Sequence, residues 1–70
     1  MNFKEELDMT LKKLFNLFDN WNMVTRINDN KLNTIVEDKV VTIFDTREDL
    51  LCMKVVAFGF YDGVLTVRVK

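Results

Sequence analysis

The dipeptide Asp62-Gly63 constrains this chain more than any other feature. It stands between two runs of apolar residues, V-V-A-F-G-F-Y before it and V-L-T-V-R-V after it. A two-residue hairpin turn of type I′ needs positive φ at both central residues, and Asp-Gly meets that need with little strain. Such a turn sets a register in which Tyr61 opposes Val64, Phe60 opposes Leu65, Phe58 opposes Val67 and Val56 opposes Val69. One face of the hairpin then carries Val56, Phe58, Phe60, Leu65, Val67 and Val69. No charge falls among them, so this is the expected core face.

Three earlier turn signals, Asp29-Asn30, Asp38-Lys39 and Thr46-Arg47-Glu48-Asp49, divide residues 23–69 into five short strands. Counting outward from each turn pairs Ile27 with Leu32, Met23 with Val36, Val36 with Val41, Thr34 with Ile43 and Ile43 with Cys52. All of these fall on the face of the phenylalanines, and a slip of one residue would invert any strand. Lys54, opposite Val41, is the exception, and is expected at an edge or beside a bulge. Gly59 is the residue expected to mark a bulge or bend. Residues 46–53 also admit a second reading, in which Thr46 caps a short helix running through Met53.

Before Asn22 the period is helical. At 100° per residue, Phe3, Leu7, Leu11, Leu14, Phe15, Leu17, Phe18 and Trp21 share an arc of about 160°. Asn2 with Glu5 resembles a capping box, and Asp8 with Lys12 forms an i,i+4 pair. The expected fold is α+β: an amphipathic helix over 2–20 packed on a five-stranded antiparallel meander over 23–69, as a single domain of residues 1–70.

Seventy residues leave room for one core only. Apolar residues make up 49% and charged residues 30%, which is globular and far from disorder. The net charge of −1 exerts no strong pull on nucleic acid. The longest apolar run, Val55 to Tyr61, is too short to span a bilayer. Residues 2–13 mix acids and bases where a signal peptide needs an apolar stretch. These features predict a cytoplasmic protein with no membrane partner. The lone Cys52 cannot form an internal disulfide, and reads as a small buried hydrophobe in a reducing compartment.

Chemistry is sparse. The chain has no histidine, no serine and no cysteine pair, so an enzyme is not expected. Lys54 is the one lysine at an expected core position, and an irregular strand explains it without catalysis. Asp45, Glu48 and Asp49 could meet a cation but read as a solvated turn. Asn28-Asp29-Asn30 lacks the glycine and distal glutamate of a calcium loop. No metal or cofactor is expected.

The second face of the expected sheet is the unusual one. It carries Ile35, Val40, Thr42, Phe44, Leu51, Met53, Val55 and Tyr61, where a solvated face should alternate to polar residues. A helix is about 10 Å across, whereas five strands at 4.8 Å spacing span roughly 20 Å, so one helix cannot cover a sheet of that width. These eight residues are therefore the expected interface of a small protein–protein interaction module. Its expected partners are a second copy in a homodimer, a host protein, or both. The alternative is a sheet that binds single-stranded nucleic acid through Phe44, Tyr61, Arg26 and Arg68. The expected topology puts those arginines on opposite edge strands, and no basic stripe joins them. Small size, absent catalytic groups and abundant Asn and Lys, both with AT-rich codons, suit an accessory protein of a phage or mobile element. Such proteins inhibit or adapt a host protein, and anti-CRISPR inhibitors are one kind.

Overall fold

The computed structural model describes residues 9–70. In chain order the elements are α1 (Leu11–Phe15), β1 (Val24–Asn28), β2 (Thr34–Lys39), α2 (Val40–Thr46), α3 (Glu48–Leu51), β3 (Val55–Tyr61) and β4 (Val64–Val69). The chain is α+β, with a four-stranded mixed sheet in the order β2-β1-β4-β3 and short helices. It is not the expected five-stranded antiparallel meander. Two antiparallel hairpins, β1–β2 and β3–β4, meet through a parallel pairing of β1 with β4.

The missing strand became a helix. Val40, Ile43 and Phe44, followed by Arg47, Leu50 and Leu51, recur at helical spacing, and their burial follows it: Val40, Ile43, Leu50 and Leu51 are buried. The β-branched run Val40-Val41-Thr42-Ile43 favours a strand locally, but burial of this stripe against the sheet overrides so weak a preference. The expected turn at Asp38-Lys39 is instead the end of β2 and the residue before α2. The alternative short helix over 46–53 is nearer the result, since α3 covers Glu48–Leu51. Thr46 does not cap it, because its hydroxyl donates to the Thr42 carbonyl at 2.7 Å.

At the N-terminal end, the described helix is only Leu11–Phe15, capped by Thr10, whose side-chain oxygen accepts from the Lys13 amide at 3.3 Å. Residues 2–8 of the expected helix, with the Asn2–Glu5 capping box and the Asp8–Lys12 pair, lie outside the described residues. Residues 16–20, expected as helix, lie beyond α1. Trp21 closes back on α1 by donating its indole N–H to the Phe15 carbonyl at 3.0 Å.

The hairpin at Asp62-Gly63 forms with the expected register through Tyr61–Val64, Phe60–Leu65 and Phe58–Val67. Asp62 (φ 54°) and Gly63 (φ 78°) adopt the positive angles that a type I′ turn demands. A register shift between Val55 and Ala57 then sets Val55, not Val56, opposite Val69. The irregularity falls there and not at Gly59, which pairs with Thr66. Lys54 lies exposed beside this shift, in an isolated bridge with Thr10.

The β1–β2 register also differs from expectation, with Ile27 facing Val36 rather than Leu32. The connection is longer than Asp29-Asn30 alone. The Asp29 carboxylate accepts the backbone amides of Lys31 (2.8 Å) and Asn33 (2.9 Å), which closes a loop through Leu32 at φ 69°. An aspartate that binds its own following amides makes such a loop self-supporting.

Parity along the central strands defines the layers. Thr25 and Ile27 of β1, with Leu65, Val67 and Val69 of β4, are buried. They join Leu11, Leu14 and Phe15 of α1, Val40 and Ile43 of α2, Leu50 and Leu51 of α3, and Val55 in one core. The one buried polar side chain among the described residues, Thr25, donates its hydroxyl to the Leu65 carbonyl at 2.7 Å, so it is satisfied across the parallel seam. The helices supply the apolar cover that the sequence reading assigned to a partner.

Candidate interaction surfaces

Two surfaces remain on the sheet: the outer edge of β3 and the face opposite the core. Along β3 the pair Tyr61–Val64 closes a two-residue turn and is hydrogen-bonded, and so, by alternation, are Gly59–Thr66 and Ala57–Arg68. Phe58 and Phe60 therefore direct their N–H and C=O groups away from β4. Among the described residues no backbone group meets them on that side. Among the described residues, cover on that side reaches only the start of the strand and the residues before it: Val55 donates to the Met9 carbonyl at 2.8 Å, and Leu11 to the Met53 carbonyl at 3.0 Å. The side chains are also open, with Phe58 46%, Phe60 56% and Tyr61 64% exposed. Phe60 is held edge-on by Phe18 at 6.1 Å. Phe58 and Phe60 do lie on the core side of the sheet, but the helices do not reach over this edge strand. Among the described residues the fully buried aromatic of the core is Phe15.

The two edges of the sheet differ in charge. β2 ends in Glu37, Asp38 and Lys39, all exposed, whereas β3 has no charged residue along its length. Charges on an edge strand resist further strand pairing, and β3 lacks them.

The open face carries Arg26 and Asn28 from β1, Thr66 and Arg68 from β4, and Ala57, Gly59 and Tyr61 from β3. Parallel pairing places Arg26 beside Thr66 and Asn28 beside Arg68, so the arginines lie on neighbouring central strands and not on opposite edges. Arg26 is already engaged: its Nε donates to Glu37 at 3.0 Å, a half-exposed pair that holds the guanidinium above its ordinary pKa. Arg68 has no acidic partner among the described residues, and its Nε is buried without a hydrogen bond. It lines a cleft of about 210 Å³ with Asn28, Leu32, Ala57, Phe58, Tyr61 and Thr66.

The eight residues expected to share an interface do not share a face. Val40, Leu51 and Val55 are in the core. Ile35, Phe44 and Met53 are half-buried against it, with the Phe44 ring 4.7 Å from Trp21. Thr42 is half-buried on α2, and only Tyr61 stands exposed on the sheet. Phe44 is therefore also separated from the other residues of the nucleic-acid alternative. Sequence reasoning missed Asn28 and Leu32 as neighbours of Arg68, whereas Ala57 opposite Arg68 follows from the Asp62-Gly63 register. Asn28 and Arg68 meet through a parallel pairing, which no turn announces.

Cys52 is exposed, not buried as expected, and its thiol reaches only the Asp49 carbonyl at 3.8 Å. Arg47 grips the Asp49 carboxylate at 3.1 and 3.0 Å and lowers its pKa. Among the described residues no group of three or more His, Cys, Asp or Glu side chains could hold a metal ion. Nor is any described helix long and apolar enough to cross a membrane. Compared with protein-family models, curated proteins and solved structures, the chain matches none.

Proposed function

We propose that this chain is a protein–protein interaction module that associates with a second copy of itself through the outer edge of β3. The observation that carries the reading is an uncharged edge strand whose Phe58 and Phe60 have outward backbone groups that meet no partner among the described residues, and half-exposed aromatic side chains. An antiparallel β3–β3 pairing about a two-fold axis is self-complementary and extends two four-stranded sheets into one. It also covers the part of the core side that the helices leave open. The charged end of β2 disfavours the head-to-tail pairing that would grow filaments.

A host protein that offers a strand of its own could take the same edge. That is the form in which the association with phage and mobile-element accessory proteins fits this fold. It rests on small size, composition and the lack of catalytic groups, and it names no target.

The test is molecular mass by light scattering or sedimentation over a concentration series. The wild type should be dimeric. Phe60→Lys, placed on an exposed side chain, should stay folded by circular dichroism and be monomeric. A wild type that is monomeric throughout, or a Phe60→Lys variant that still dimerises, sinks the β3 assignment.

A further inference from the structure

The Arg68 cleft opens on the face opposite the core, with Ala57, Phe58 and Tyr61 of β3 in its lining, and carries an inference of its own. A guanidinium presents a planar fork of donors that suits a two-oxygen acceptor. Here the Nε–H of that fork is buried with no acceptor among the described residues, none of which puts an acidic side chain in the cleft lining. A buried donor left unpaired calls for an explanation, and a ligand oxygen supplies one if the Arg68 side chain turns its Nε–H into the cleft on binding. The neighbouring polar groups are also donors in waiting. Asn28 uses its Oδ1 to accept the Thr34 hydroxyl at 3.0 Å, which leaves its NH₂ group for another acceptor. The Thr66 hydroxyl makes only a long 3.4 Å bond to the Val64 carbonyl. Donors facing a cleft without a carboxylate select an anion.

The cleft is larger than a bare phosphate fills, and its rim carries an aromatic ring. Tyr61 lies along the strand over Gly59: a Cβ built on Gly59 would meet the Tyr61 Oη at 3.3 Å and its Cε2 at 3.4 Å. The glycine therefore lets the ring rest against the sheet while its outer side stays in solvent. A ring held this way offers a stacking surface that any base can use.

We propose that the Arg68 cleft binds one nucleotide unit, with its phosphate on the Arg68 guanidinium and the Asn28 and Thr66 donors, and its base against Tyr61. Arg26, diagonal to Arg68 across the β1–β4 seam, is neutralised by Glu37 and is not the anchor. The unit could belong to a free nucleotide or to a single strand, and the two sources share this chemistry.

The experiment is an NMR titration that follows the Arg68 Nε–H and the Tyr61 ring protons. Adenosine monophosphate should move both groups, and inorganic phosphate should move Arg68 alone. Arg68→Lys keeps the charge but loses the fork, and should weaken the monophosphate by about tenfold or more while the backbone amide spectrum stays folded. Tyr61→Leu should weaken the monophosphate but not inorganic phosphate. A short oligothymidylate that binds much more tightly than the monophosphate, with a steep salt dependence, assigns the site to strands. Equal affinity assigns it to free nucleotides, and either result supports the cleft. An Arg68 Nε–H that the monophosphate leaves unmoved overturns the proposal. So does an equal response to acetate with no Tyr61 response, which would make the cleft a carboxylate site.

Discussion

Phe15 and Phe58 show how far one residue's worth depends on what covers it. Both are phenylalanines on the core side, yet Phe15 is fully buried among α1, the sheet and Trp21, whereas Phe58 is 46% exposed on an edge strand. Removing a fully buried phenyl ring loses its transfer energy and leaves a cavity, so Phe15→Ala should cost about 3–5 kcal/mol. That is much of the stability a domain of this length has. Phe58→Ala removes a ring that already meets water over nearly half its surface. It should cost about 1–2 kcal/mol in the monomer, and its larger effect should be on association. Urea unfolding of the two variants at a concentration below the dimer range measures both. Equal losses would mean that the β3 edge is packed as tightly as the core.

At the scale of an element, the 29–33 loop owes its shape to one carboxylate. The Asp29 pKa is lowered, first by the Asn33 amide; burial opposes this, and the Lys31 amide and the Asn33 side chain add to the lowering. Because the folded pKa lies below the unfolded one, the bonds contribute above the ordinary value of 3.8 and are lost as pH falls through the folded value. An NMR titration should show the Asp29 carboxyl protonating below 3.8, with the Lys31 and Asn33 amides moving in step. Asp29→Asn keeps an acceptor and should abolish that pH response while the loop persists. Titration at the ordinary value with unresponsive amides would remove Asp29 as the organiser.

This loop also shows what the sequence made legible. Its place was readable from Asp29-Asn30, but the amide-bonded turn lengthened it and moved the β1–β2 register. The β3–β4 hairpin was readable almost completely, because Asp62-Gly63 dictates both angles and spacing. Helix α2 was hidden because Val40–Phe44 satisfies a strand pattern as well as a helical one, and only burial decides, whereas α3 was legible as the second reading of residues 46–53. With them went the apolar second face, and with it most of the expected interface.

For the whole molecule, the point of greatest convergence is Val55. Its side chain is in the core, and its strand position faces Val69 of β4. Its amide donates to Met9, within a segment that the Thr10–Lys54 bridge and the Leu11–Met53 bond also tie to β3. The approach to α1, the C-terminal hairpin and the core therefore meet at one residue. Val55→Glu would place a carboxylate there with no room for water. Burying an unpaired polar or charged group costs several kcal/mol, against a total of roughly 4–10 kcal/mol for a chain of this length. Both hairpins share one core through the β1–β4 seam, so the loss should be global and not a local fraying of residues 9–11. The expected result is collapse of amide dispersion throughout the spectrum, with loss of the cooperative thermal transition by circular dichroism. Raising the buried carboxyl's pKa should make the variant less unstable in mild acid than at neutral pH, because the neutral form is less costly to bury. A variant that stays folded and dispersed at neutral pH would show that residue 55 reaches solvent. The sheet would then lack the shared core that joins its two hairpins at this end.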